Sequence, residues 1–252
     1  MTKEELKKQV CEAIEAASKE IEGLACRIEG EPELGYKENR TAAKVAAYLQ
    51  QLGLTPQTGL ALTGVKACVK GKNKGPSVAV LAELDAIGTP DSPKADPLTG
   101  AAHTCGHFLQ MATMLAAATG IVKTGVMQHL TGNAVFFAVP AEEYVEITYR
   151  NTLRQEGKIH YLSGKSQLIY EGHFDDVDMA MMMHSQANTP QKAVAVGTSS
   201  NGFVGKTVQY VGKTAHAANA PHEGINALNA ACLGIMGINA LRETFQEKDI
   251  VR

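Results

Sequence analysis

The sequence has no dominant charge. Its 24 basic and 26 acidic residues leave a formal net charge of -2, which gives no electrostatic reason to expect nucleic acid or an anionic membrane as a partner. No apolar run approaches the roughly 18 residues that a membrane span needs. The opening residues, Met1-Thr-Lys-Glu-Glu-Leu, are charged and helix-forming rather than a secretory signal. Cysteine is sparse, odd in number and scattered, at Cys11, Cys26, Cys68, Cys105 and Cys232. Such a set argues against a disulfide framework and for a reducing, cytoplasmic setting. There Cys105 can remain a thiolate, and the other four are expected to be buried as small apolar residues. Several catalytic signatures are also missing. Gly205-Lys206-Thr207 and Gly212-Lys213-Thr214 mimic the end of a phosphate loop, but Ser200 and Thr207 stand where its first glycine belongs. There is no Gly-x-Ser-x-Gly elbow, no His-Glu-x-x-His helix and no Pro-Cys-x-x-Cys.

What is present is an ordinary globular balance, 44% hydrophobic and 20% charged over 252 residues, enough for one large or two smaller domains. Thr2 and Glu5 form a capping-box pattern that opens a helix to about residue 22. A second amphipathic helix is expected over 38–52, stopped by Gly53. Strands follow at 62–69 and 77–84; the latter, SVAVLAEL, is almost continuously apolar, as a strand buried on both faces should be. A helix over 106–118, a strand over 133–139, a polar helical stretch over 147–171 and a strand over 178–183 complete the pattern. Alternation of this kind predicts an α/β fold with a mainly parallel sheet flanked by helices. From about residue 197 the pattern changes to an alternating strand at 204–211 and a helix at 225–243, the start of a smaller α+β domain. The expected division is therefore 1–196 and 197–252.

Chemistry concentrates just past the predicted strands, where sites of such folds lie. His103-Thr-Cys105-Gly-His107 places one thiol and two imidazoles within five residues at the mouth of an apolar helix. Pro140-Ala-Glu142-Glu143 and Met183-His184-Ser185 each close a hydrophobic run. Taken singly, Glu142-Glu143 also fits a solvated loop pair, His184 a core histidine and Asp85 a helix or turn cap. Taken together in this order, Cys105, His107, Glu143 and His184 make a donor set for one or two divalent ions such as Zn²⁺, Mn²⁺ or Co²⁺. Such ions bring the pKa of a bound water from near 16 to about 7. Glu142, next to a candidate ligand but facing differently, suits a general base and then acid. Asp85 suits the orientation of a ligand imidazole.

These residues bring a resemblance with them. Leu84-Asp85-Ala86-Ile87, His103-Thr-Cys105-Gly-His107, Pro140-Ala-Glu142-Glu143, His184 and the block from Gly212 through His216, Pro221 and Gly224 to Leu228 resemble the metal-dependent aminoacylase and carboxypeptidase family. The likeness is strongest to its amidohydrolase branch, which includes aminobenzoyl-glutamate hydrolases and β-alanyl dipeptidases. Phe108 departs from the pattern, since many members of the branch carry Asp or Asn after Cys-Gly-His. The resemblance implies a zinc-peptidase-like catalytic domain with a lid that dimerises. It implies hydrolysis of the amide bond of N-acyl amino acids or small dipeptide-like substrates. Cys105 would be a thiolate ligand, bridging where two ions bind, with His107, Glu143 and His184 as further ligands. Glu142 would be the base, Asp85 the support of His107, and His216 a lid histidine that steadies an oxyanion in the partner's site. It further implies that a last histidine ligand and half of the lid lie beyond Arg252. The chain as given is then expected to be nearly silent, or to be a shortened relative that only binds metal or a partner.

Overall fold

The capping box forms. Glu5 N–H donates to Thr2 Oγ1 at 3.2 Å, and Thr2 N–H donates to the Glu5 carboxylate at 2.7 Å, opening helix α1 (Lys3–Glu29). The computed structural model describes residues 1–186, 194, 196, 202 and 204–246. They fall into two compact units, Met1–Pro190 and Gln191–Arg252. The change of domain expected between 196 and 197 falls at residues largely outside the described set, as does the end of the second segment, 247–252.

In the first unit α1 runs past its expected end because Leu24, Ala25 and Ile28 are buried and carry the apolar stripe onward. Helix α2 (Asn39–Gln51) is followed by β1 (Gln57–Leu60), β2 (Gly64–Lys70), β3 (Asn73–Glu83), and the short pair β4 (Ile87–Gly88) and β5 (Ala101–Ala102). Helix α3 (His107–Thr124), β6 (Thr131–Val139), α4 (Ile147–Gln155), α5 (Gly164–Tyr170) and β7 (Met179–Met182) complete it. The main sheet has the order β1-β2-β6-β3-β7. Its β1-β2-β6 side is antiparallel, while β6-β3-β7 is parallel. The sheet is thus mixed, and its parallel half carries the candidate site.

Alternation along β6 shows why the sheet is buried on both faces. Ala134, Phe136 and Ala138 pack into a core with α1, α2 and α3 residues such as Ile28, Leu49, Met111 and Leu115. Val135, Phe137 and Val139 pack on the opposite face with Leu153 and Leu168 from α4 and α5. The polar stretch expected as one helix over 147–171 is two. Gly157, at φ +72°, takes the left-handed turn that ends α4, and Lys158 N–H closes back on Leu153 O at 2.9 Å.

Four cysteines depart from expectation. Cys11, Cys26, Cys68 and Cys232 are exposed, and all five cysteines are free thiols. On α1, the core stripe is taken by Ala17, Ile21, Leu24 and Ile28, which leaves Cys11 and Cys26 on other faces. Among the described residues no helix is long and apolar enough to cross a membrane.

In the second unit Lys213 and Ile225 form an antiparallel bridge. Asn226 caps helix α6 (Ala227–Ala240) by accepting Asn229 N–H at 3.1 Å. Residues 204–211 alternate in sequence but form no strand. No partner strand lies beside them among the described residues, and a lone strand leaves its backbone donors and acceptors unpaired.

Candidate metal centre

Register brings three chain segments to one edge of the sheet. Glu83 pairs with Val139 and Leu81 with Met182 in parallel ladders. Asp85, Glu142-Glu143 and His184 therefore leave the sheet side by side at its carboxyl end. Cys105 and His107 reach the same place from the start of α3. Gly106 makes that approach possible: it lies at φ +91°, in the left-handed region, and a Cβ there would run into the Ser185 side chain beside His184.

The donor atoms of Cys105, His107 and His184 all lie within 4.8 Å of one another. Cys105 Sγ is 3.3 Å from His184 Nε2, and the two histidine rings stand perpendicular with centroids 6.0 Å apart. Glu142 and Glu143 each bring a carboxylate oxygen to 3.9 Å from His107 Nε2. Asp85 grips two partners. Its backbone oxygen accepts the His107 Nδ1 proton at 2.7 Å, and its Oδ2 accepts Glu143 N–H at 2.9 Å. With Nδ1 committed to Asp85, His107 presents Nε2 to the site, the atom that would take a metal once its proton is lost.

A residue not anticipated from sequence sits against that nitrogen. Glu83 Oε2 is 3.0 Å from His107 Nε2 and accepts from Gln110 Nε2 at 2.9 Å, while Oε1 pairs with Lys165. Glu83, His107 and Glu142 form a second set of donors within 4.8 Å. Its signal was an isolated charge inside the otherwise apolar SVAVLAEL strand; burying a carboxylate there is costly without partners.

The electrostatics favour a cation. Burial opposes a charge on His107, yet Asp85 and Glu83 outweigh burial and push its pKa up to about 11. Burial likewise opposes the charge on Glu83, but His107 and Lys165 hold it at about 2. Burial, with the two carboxylates Glu143 and Glu142 adding to it, pushes the Cys105 thiol up to about 11. Burial, and then Glu83, raises the Glu142 carboxyl above its ordinary range. Asp85 Oδ1 and His107 Nε2 are buried and make no well-directed hydrogen bond. A thiol, two imidazoles and several carboxylates around two such atoms fit a borderline-soft divalent ion, which would offset the local negative charge and lower the thiol's pKa.

His103, the first histidine of the motif, does not join the cluster. It is buried beside Phe108, with centroids 5.9 Å apart, and burial lowers its pKa to about 4. His216 belongs to the second unit. It is exposed, and its Nδ1 accepts the N–H groups of Ala218 and Asn219 at 3.2 and 3.1 Å.

No protein-family profile matches the chain. Among curated proteins it is 30% identical to a component of the p-aminobenzoyl-glutamate hydrolase of Escherichia coli, over 97% of this chain and 48% of that protein. It is 29% identical to the mouse Xaa-Arg dipeptidase, over 94% of this chain and 50% of that protein. Its fold resembles Bacillus subtilis YXEP, a dinuclear metal-binding peptidase of the M20 family. That match has a TM-score of 0.56 and 24% identity, covering 70% of this chain and 45% of that one. The fold is thus that of the M20-type metallopeptidases. Within that class the chain is a relative of the amidohydrolases of the aminoacylase and carboxypeptidase family, and its likeness fits their N-terminal part. It spans about half the length of the curated relatives it matches.

Proposed function

We propose that the protein hydrolyses an amide bond in an N-acyl amino acid or small dipeptide-like substrate, using one or two divalent ions held by Cys105, His107, Glu143 and His184. The observation that carries this reading is the meeting of Cys105, His107 and His184 donor atoms within 4.8 Å, with Glu142 3.9 Å from His107 Nε2. Zn²⁺, Mn²⁺ and Co²⁺ suit these donors. A divalent ion there supplies a water that ionises near neutral pH and polarises the amide carbonyl.

The chain's own residues do the rest. Asp85 fixes the tautomer and direction of the His107 ring. Glu142, whose carboxyl is raised by burial, accepts the proton of the attacking water and hands it to the leaving amine. Because His216 Nδ1 is an acceptor, its proton sits on Nε2, and that N–H suits a neutral donor to a developing oxyanion. In this reading 1–196 is the catalytic domain and 197–252 belongs to a lid. The lid joins two copies of the chain, and His216 serves the partner's site. Helix α6 supports the dimer, since Leu233, Ile235 and Met236 are about two-thirds exposed and a facing copy would cover them. Five free cysteines support a cytoplasmic setting.

The test is hydrolysis of N-acyl amino acids and aminobenzoyl-glutamate with Zn²⁺, Mn²⁺ or Co²⁺ added, and again after chelation. Metal-dependent turnover supports the reading. Turnover indifferent to chelation, or a folded protein that takes up none of these ions, contradicts it.

A further inference from the structure

Glu38 is fully buried and is not among the groups that would hold a metal or move a proton. Its Oε2 accepts the Thr63 hydroxyl and its Oε1 accepts the Ala141 N–H, both at 2.7 Å. A carboxylate in such a place costs stability, and a threonine hydroxyl and one backbone amide are modest compensation. What it holds is therefore informative.

Ala141 is a buried non-glycine residue at φ +50°, a conformation that costs an L-residue about 1–2 kcal/mol. It stands directly before Glu142-Glu143. Its carbonyl accepts Gly164 N–H at 3.1 Å and Arg150 Nη1 at 3.4 Å. Two residues on, Glu143 N–H donates to Asp85 Oδ2. The segment bearing the carboxylate pair is thus gripped at 141 by Glu38 and at 143 by Asp85.

Glu38's own segment is tied to the same two places. Ala86 N–H donates to Glu33 O at 2.8 Å, beside the Leu34–Ala86 bridge, and Lys37 pairs with Glu146 at 2.7 Å. The stretch from Glu33 to Glu38 therefore links the end of β3 to the loop after β6.

We propose that Glu38 is a positioning residue: by accepting the Ala141 N–H it holds the left-handed turn that sets Glu142 and Glu143 beside His107. The proposal rests on the metal-hydrolase reading above. A residue that only stabilises the fold would lower the melting temperature and leave the metal environment and the turnover of folded molecules alone. A positioning residue changes both, because misplacement by about 1 Å can cost on the order of a hundredfold in rate.

The experiment compares the unsubstituted protein with Glu38→Ala, Glu38→Asp and Glu38→Gln. Each is loaded with Co²⁺, and its visible absorption, Co²⁺ affinity, kcat and KM are measured. Gln keeps an acceptor for Ala141 N–H and can donate to Thr63, so it should retain the spectrum and most of kcat. Ala removes the acceptor, and Asp is too short to reach both partners. Each should shift the cobalt bands, weaken Co²⁺ binding about 10- to 100-fold and lower kcat more than KM rises. Should the alanine variant fail to fold, the aspartate variant decides. Cobalt uptake by the unsubstituted protein, with Asp or Ala variants matching it in bands and kcat, overturns this proposal alone. Absence of cobalt uptake by the unsubstituted protein overturns the metal reading and this proposal with it.

Discussion

Replacing Gly106 with alanine probes the junction on which the candidate centre depends. Gly106 separates Cys105 from His107 and sits at φ +91°, so alanine there carries the left-handed cost of about 1–2 kcal/mol. The added methyl also meets the Ser185 side chain. Ser185 is exposed and its hydroxyl can rotate aside, so backbone strain is the larger effect. For a unit of this size that cost lowers the melting temperature by about 2–8 °C without metal. Relief of the strain would turn Cys105 away from His184, now 3.3 Å distant, and metal affinity should fall about 10- to 100-fold, as when the supports of a ligand are removed. Thermal denaturation of the metal-free protein and chelator-competition titration with Zn²⁺ read the two effects separately. Adding Ser185→Ala should restore little, since it leaves φ unchanged. Unaltered stability and Zn²⁺ affinity in Gly106→Ala would refute the reasoning.

Other substitutions separate chemistry from architecture. Glu142→Gln should abolish hydrolysis while metal content, measured by elemental analysis, stays near that of the unsubstituted protein; Cys105→Ala should instead lower metal content. Equal metal loss in both would move Glu142 among the ligands. Phe137→Ala, which empties a fully buried position in the core on the α4 and α5 face, should cost about 3–5 kcal/mol in denaturant unfolding, and a loss under about 1 kcal/mol would mean that this face is loosely packed. Burial first, and then Asp85, raises the Glu38 carboxyl to about 7. The folded state then binds a proton more readily than the unfolded chain, so this group's contribution falls as pH rises from about 4 to 7 and stays low above that. Glu38→Gln should flatten that part of the stability profile, and identical profiles for the two proteins would contradict the assignment.

Much of this arrangement was legible in the sequence because it follows from local pattern. The apolar runs over 77–84, 133–139 and 178–183 announced strands, and parallel register then placed Asp85, Glu142 and His184 at one edge. The antiparallel pairing of β1 and β2 was not legible, because neither short strand carries a mark of its partner's direction. Glu83 and Glu38 were missed for a related reason: their partners, His107 with Lys165 and Thr63 with Ala141, are remote in sequence. The alternating stretch 204–211 shows the converse. Pattern proposes a strand, but only a neighbour supplies the hydrogen bonds that make one. The free cysteines on α1 show that residue type alone does not set burial when Ala17, Ile21, Leu24 and Ile28 already fill the stripe.

The most direct test of the central claim is X-ray absorption at the zinc edge on the Zn²⁺-loaded protein and its Cys105→Ser variant. One sulfur neighbour is expected near 2.3 Å with nitrogen and oxygen neighbours near 2.0–2.2 Å, and the sulfur shell should be lost in the variant. A spectrum with only nitrogen and oxygen neighbours, or one that the substitution leaves unchanged, would show that Cys105 does not hold the metal and that the ion binds elsewhere.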